Sequence, residues 1–218
     1  MKLTGRLEEI VRWVPECERV IDVGTDHALV PIALLIRNIT QRAIGIDKSP
    51  LPLGQATVNR HNAEVVDRLK LVCATGLSIE DLKADDVVVI AGMGGRTMLS
   101  ILEDSSWRGT LVIQPNRDVP LLRQWLSENG WYSDVETILR EKAQYFWTSR
   151  WYRGRRELSP MDMEFGTQTH VRSKVEFTGW FFVEYTRLKR LPDQAIARQK
   201  LPLYDEMAKA LSNLKNLG

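Results

Sequence analysis

The sequence predicts a doubly wound α/β sheet followed by a helical tail. Three observations carry that prediction. Between Arg19 and Asn116, short apolar runs alternate with helix-length segments, as in repeated βαβ units. The runs are almost continuously apolar, so they read as parallel strands covered on both faces. Each run closes in a turn carrying Gly, Asp or Asn, at the strand ends where such sheets bind ligands.

The elements follow in order. Arg19-Val20-Ile21-Asp22-Val23 is the first strand, closed by Gly24-Thr25-Asp26-His27. Ala28 to Arg37 is apolar and helix-length, with Pro31 tolerated in its first turn. Ala43-Ile44-Gly45-Ile46-Asp47 is the second strand, and Pro50 to Asn62 a helix. Leu69 to Cys73 is the third strand, before Thr75-Gly76-Leu77. Asp86 to Ala91 is the fourth, followed by Gly92-Met93-Gly94-Gly95 and a helix over Arg96 to Glu103. Thr110 to Ile113 is the fifth, closed by Gln114-Pro115-Asn116. Val119 to Asn129 is a helix that Gly130 ends at its C′ position.

Beyond Gly130 the pattern changes. Trp131 to Glu141 and Gln144 to Arg153 read as an antiparallel hairpin, and Gly154 to Gly166 as a linker. Two heptad-like stripes follow: Val171, Val175, Thr178, Phe182 and Tyr185, then Ile196, Lys200, Leu203, Met207, Ala210, Leu214 and Leu217. They predict a coiled-coil-like helical hairpin that turns at Leu191-Pro192-Asp193, its stripes packed within the chain. Pro202 is expected to kink or restart the second helix. The expected division is a sheet domain over residues 1–160 and a helical domain over 161–218.

Composition narrows the function. The chain has 218 residues, 44% hydrophobic and 27% charged, as in globular proteins. Two cysteines exclude a disulfide framework and a four-cysteine zinc site. No apolar run approaches the ~18 residues of a membrane span, and the polar N-terminus does not read as a signal peptide. A cytoplasmic protein, monomeric or weakly dimeric and off the membrane, is expected. The net charge of +2 hides an asymmetry: residues 140–200 carry 13 Lys+Arg against 7 Asp+Glu. That basic third fits a polyanionic partner, or a pair of solvated helix faces.

The first turn sets the cofactor class. Dinucleotide folds place G-x-G-x-x-G after the first strand, and Asp22 to Ala28 holds a single glycine. An acid-x-Gly turn suits a cofactor without phosphates, such as S-adenosylmethionine. Asp22 or Asp26 would take its ammonium, and backbone N–H groups at the helix start its carboxylate. A plain strand–helix turn with Asp26 as N-cap is the alternative. Asp47, followed by Lys48, could accept both ribose hydroxyls, or simply cap the next helix. Thr75, Gly76 and Leu77 could frame the adenine ring. At Ala91, Gly92 and Met93 the glycine admits close approach of a ligand, and Met93 could pack on adenine or sulfonium. Gln114 and Asn116 could read a flat base edge. His27 has no second His or Cys at ligand spacing, since His61 and His170 fall in expected helices, so no metal is expected. Cys17 and Cys73 read as core.

At these residues the chain resembles the bacterial tRNA (adenine-22-N1)-methyltransferases. The strings are Leu3 to Leu7, Val20 to Pro31, Ile90 to Gly95, Val112 to Asn116, Trp125 to Trp131 and Phe165-Gly166. The resemblance implies a class I Rossmann-like methyltransferase domain with a C-terminal helical domain. It implies methyl transfer from S-adenosylmethionine to N1 of a tRNA adenine. It also implies that Asp22, Gly24, Asp26, His27, Gly76, Gly92 and Met93 line the cofactor pocket. The chain departs from the family at Thr75, where Asp or Asn is usual, and around Asp47. Arg150 to Arg156 does not follow a family string.

Adenine N1 carries a lone pair at neutral pH and needs no strong base. Catalysis is then expected from in-line positioning and a dry base pocket. Asp26 is the candidate to stabilise the cationic product, Asn116 to orient the base edge, and Tyr145 or Phe146 to stack on it. Arg6, Arg153, Arg155 and Arg156 are candidate RNA contacts, with Trp151 and Tyr152 interleaved; a surface pair between Arg6 and Glu9 is the alternative. The rival readings are a methyltransferase for a small molecule or protein, and a non-catalytic RNA-binding protein.

Overall fold

Along one strand, Val87 and Val89 face one helical layer while Val88 and Ile90 face the other, so a run without polar alternation is buried on both sides. In the computed structural model, which describes residues 2–78, 82–167, 173–191 and 194–215, that strand lies at the centre of a seven-stranded sheet. The elements run α1 (Gly5–Trp13), β1 (Cys17–Val23), α2 (Leu29–Ile36), β2 (Thr40–Asp47), α3 (Pro50–Asn62), β3 (Leu69–Cys73), β4 (Val87–Met93), α4 (Gly95–Glu103), β5 (Thr110–Pro115) and α5 (Val119–Glu128). There follow β6 (Trp131–Glu141), β7 (Gln144–Arg153), α6 (Pro160–Phe165), α7 (Lys174–Lys189) and α8 (Ala195–Lys215).

The strand order is β3-β2-β1-β4-β5-β7-β6. The first five strands pair in parallel, and β7 pairs antiparallel with β5 and β6. The chain winds outward from β1 to β3 and then returns to β4, so the order reverses between β1 and β4. Crevices at such switch points are where doubly wound sheets hold ligands. Ile10 and Val11 of α1 join α2 and Ala56 of α3 on one face, over Val20, Ala43 and Val112. Met98 and Leu102 of α4 and Leu122 and Leu126 of α5 cover Ile21, Ile46 and Ile113 on the other.

Several sequence expectations change. Helix α1 was not anticipated; its buried residues are Ile10 and Val11, with Leu7 and Trp13 partly buried beside them. The expected linker contains α6, begun by a capping box in which Ser159 accepts from the Asp162 N–H and Asp162 accepts from the Ser159 N–H. The buried face of α7 is Phe177, Phe181 and Leu188, while Val175 and Phe182 are exposed. That of α8 is Ala197, Tyr204, Met207 and Leu211, with Ile196 exposed. Helix α8 continues through Pro202 rather than restarting there; burial of Tyr204, Met207 and Leu211 beyond it outweighs one lost backbone bond. Val171, His170, Pro192, Asp193 and Leu217 lie outside the described residues.

The tail packs on the hairpin through Ile138 and Trp147. A buried polar network ties it down. Arg123 of α5 is 2% exposed and donates to Glu136 at 2.7 Å and to the carbonyls of Met163 and Glu164 at 3.0 and 2.9 Å. Its guanidinium lies over the Trp147 ring. The Glu164 carboxylate accepts from Lys200 at 2.7 Å and from the Tyr204 hydroxyl at 3.0 Å. Among the described residues, no helix is long and apolar enough to cross a membrane.

Candidate active site

Four of the turns singled out above meet at the carboxyl ends of β1, β2, β3 and β4, around a cleft of about 1040 Å³. Asp22, Gly24, Thr25, Asp26 and His27 come from the first, and Asp47 and Lys48 from the second. Thr75, Gly76 and Leu77 come from the third, and Ala91, Gly92 and Met93 from the fourth. Asn116 and Arg6 reach the same cleft from β5 and α1.

The first turn is tightly built. Gly24 and Thr25 donate their N–H groups to the Ile46 carbonyl at 2.8 and 2.9 Å, pinning the turn to β2. Gly24 sits at φ +75°, and a Cβ there would stand 2.1 Å from the Met93 methyl. Met93 therefore folds directly over the turn, which only a glycine permits. Asp26 and Ala28 also have positive φ, at 50° and 57°. Such backbone gathers at functional sites because the surrounding structure must hold it.

The carboxylates differ in setting. Asp22 is 5% exposed and accepts from the Thr25 hydroxyl at 2.7 Å. Burial pushes its carboxyl up to about 6; the Thr25 bond opposes this and the Asp47 charge adds to it. Asp47 accepts from the Asp26 N–H at 3.2 Å and the Ser49 N–H at 2.9 Å, tying the first two turns together. Asp26 is exposed at the rim, 3.7 Å from the His27 Nε2. The cleft thus offers a buried acid for a cation, a second acid with lone pairs left for hydroxyls, and glycine turns for close approach.

A second cleft, of about 1100 Å³, opens beside the first. Its walls are the start of α5, the β6–β7 turn, α7 and α8, including Arg117, Lys142, Tyr145, Phe146, Trp180, Arg187 and Lys200. Arg6 and Asn116 line both clefts. Arg6 does not pair with Glu9, which binds Arg12, Trp13 and Thr137 instead. Its guanidinium lies over Phe146 at 5.3 Å and donates to Gln114 at 2.9 Å.

Arg153, Arg155 and Arg156 are not brought to either cleft. Strand β7 starts beside the second cleft and runs antiparallel to β5, so its end lies at the amino ends of the parallel strands. Nine residue steps separate Gln144 from Arg153, roughly 30 Å of strand. Gln114 is fully buried and offers no edge to a base. Cys73 is exposed rather than core, because β3 is the edge strand; Cys17 is partly buried. Sequence reasoning missed the wall supplied by α4, where Thr97, Ser100, Ile101 and Asp104 line the first cleft. Their spacing of three, one and three residues is one helix face, and that was the available signal.

The tRNA (adenine(22)-N(1))-methyltransferase of Bacillus subtilis (strain 168) is 26% identical over 150 residues. The match takes in 67% of this chain and 63% of that relative, so the chain spans just under two thirds of its length. A Streptococcus pneumoniae structure solved in complex with S-adenosyl-L-methionine is 28% identical, with a TM-score of 0.86, covering 94% of this chain and 99% of that one. M. capricolum TrmK, solved with S-adenosyl-homocysteine, is 22% identical and shares the fold, with a TM-score of 0.87 over 97% and 100% of the two chains. The Methyltransferase domain family matches residues 3–148. With that match covering most of the chain, and with its clefts at the carboxyl ends of a doubly wound sheet, this protein belongs to the Methyltransferase domain family.

Proposed function

We propose that this chain transfers a methyl group from S-adenosylmethionine to N1 of an adenine in tRNA, with position 22 as the expected target. One observation carries the reading. An acidic cleft fit for a cationic, phosphate-free cofactor meets a cleft lined by cations and aromatic rings, and the two share Arg6 and Asn116. The names of the relatives support both halves.

The cofactor, when bound, supplies an electrophilic methyl group. Asp22 fits its ammonium: the carboxyl is buried beside a hydroxyl and another acid, and a cation there would favour its charged form. Asp47 keeps lone pairs for a ribose diol. Thr75, Gly76 and Leu77 flank the place for an adenine ring. N1 of the substrate base needs no proton removed, so these residues act by holding and orienting. Asn116 is exposed at the junction and presents its amide to the base. Asp26, at the rim, faces the positive charge that methylation leaves on the ring. Tyr145 and Phe146 offer stacking faces in the second cleft. Arg6, Arg117, Lys142 and Arg187 are placed for phosphates.

In this reading residues 1–160 hold the cofactor and residues 161–218 help hold tRNA, with Arg153, Arg155 and Arg156 as an outlying contact. The protein acts in the cytoplasm, as a monomer or weak dimer, without a metal. Methyl-labelled S-adenosylmethionine should label unmodified bacterial tRNA transcripts, and label should be lost when adenine 22 is replaced by guanine. Label that persists in the replaced transcript would move the target elsewhere. No label in any tRNA, despite cofactor binding, would turn the reading toward a small-molecule or protein substrate.

A further inference from the structure

We propose that Gln114 is a positioning residue for methyl transfer: its buried amide sets Arg6 and Asn116 against each other where the two clefts meet. The inference rests on the adenine-methylation reading and deepens it. Gln114 lies near the end of β5, fully buried, beside Ala91 of β4. Its oxygen accepts from Arg6 at 2.9 Å. Its nitrogen donates to the Asn116 oxygen at 3.3 Å and to the Pro115 carbonyl at 3.1 Å. Asn116 in turn donates to the Gly92 carbonyl at 2.6 Å.

The direction of this relay is fixed at both ends. A guanidinium only donates and a backbone carbonyl only accepts. Gln114 must therefore turn its oxygen to Arg6, and Asn116 must turn its nitrogen to Gly92. Asn116 is left with one lone pair and one N–H facing the junction. That lone pair can accept from an exocyclic amino group beside the reacting ring nitrogen. Gln114 touches neither cleft, yet it holds the oxygen of the Asn116 amide that the Gly92 carbonyl orients, and it fixes where the Arg6 cation stands.

Two substitutions separate the halves. Gln114→Met fills the site but breaks all three bonds. Gln114→Glu keeps the acceptor for Arg6 and loses the donations to Asn116 and Pro115. Gln114→Met should lower the single-turnover rate of tRNA methylation at least tenfold, while affinity for S-adenosyl-homocysteine and the melting temperature stay near wild type. Gln114→Glu should keep the wild-type KM for tRNA and still lose kcat. If Gln114→Met matches the wild-type rate, or loses rate only in step with its folded fraction or cofactor affinity, the positioning role is overturned. An inactive wild type that still binds cofactor overturns the adenine-methylation reading, and this role with it.

Discussion

The Thr25 hydroxyl donates to the Asp22 carboxylate at 2.7 Å, and both residues are buried beneath the exposed Asp26 and His27 of the same turn. That bond only partly offsets burial, and the carboxyl stands at about 6 against 3.8 for an exposed aspartate. In the folded chain Asp22 therefore holds its proton where the unfolded chain has lost it. Its contribution to stability is present below the unfolded value and is lost as pH rises through about 6.

Cofactor binding should run the other way. If the Asp22 carboxylate takes the ammonium, affinity falls as the group protonates. Lowering pH from about 7.5 to about 5 should weaken S-adenosyl-homocysteine binding roughly tenfold. Asp22→Asn should bind weakly at both values. Calorimetric titration across that range checks this, and a pH-independent affinity in the wild type would remove Asp22 from the ammonium site.

Gly24→Ala should destabilise the chain by about 1–2 kcal/mol, from the left-handed backbone and the contact with Met93. Adding Met93→Ala should relieve the contact but not the backbone cost, so the double variant stays below Met93→Ala alone. Urea unfolding of the three variants measures both parts. Additive losses would mean that the two residues do not touch in solution.

Arg123→Met should cost about 3–5 kcal/mol, because it strands Glu136, which is 3% exposed, and two carbonyls of α6. The loss should appear first where the tail meets the hairpin, as faster amide exchange in α6 and α8. A change below about 1 kcal/mol would show that water reaches the network.

The two basic regions can be compared directly. Reversing Arg117 and Lys142 should weaken tRNA binding and lower its salt slope by about two. Reversing Arg155 and Arg156, at the far end of the sheet, should do so less. An equal or larger effect from the second pair would place the tRNA along the amino ends of the strands.

Much of this was legible in the sequence, for physical reasons. Val87 to Ile90 could only be a strand buried on both faces, and every glycine- or acid-bearing strand end then had to fall on one side of the sheet. That is why Asp22, Asp47, Gly76 and Gly92 group at one end of the sheet. The tail was harder. Phe177, Trp180, Phe181, Phe182 and Tyr185 make α7 apolar almost all round, so spacing alone could not say which stripe was buried. The α6 signals, Ser159, Pro160 and Asp162, were present but lay in a segment too short to show a period. The placing of Arg153 to Arg156 depended on the direction of β7, which pattern does not reveal. Gln114 read as a base contact because only its partner Arg6, over a hundred residues earlier, shows that its amide is already engaged.

The most direct test is nucleoside mass spectrometry of unmodified bacterial tRNA incubated with S-adenosylmethionine and either the wild-type chain or its Asp26→Ala variant. The account predicts N1-methyladenosine with the wild type and none with the variant, both chains being folded. A different methylated nucleoside, or none from a wild type that binds the cofactor, would contradict it.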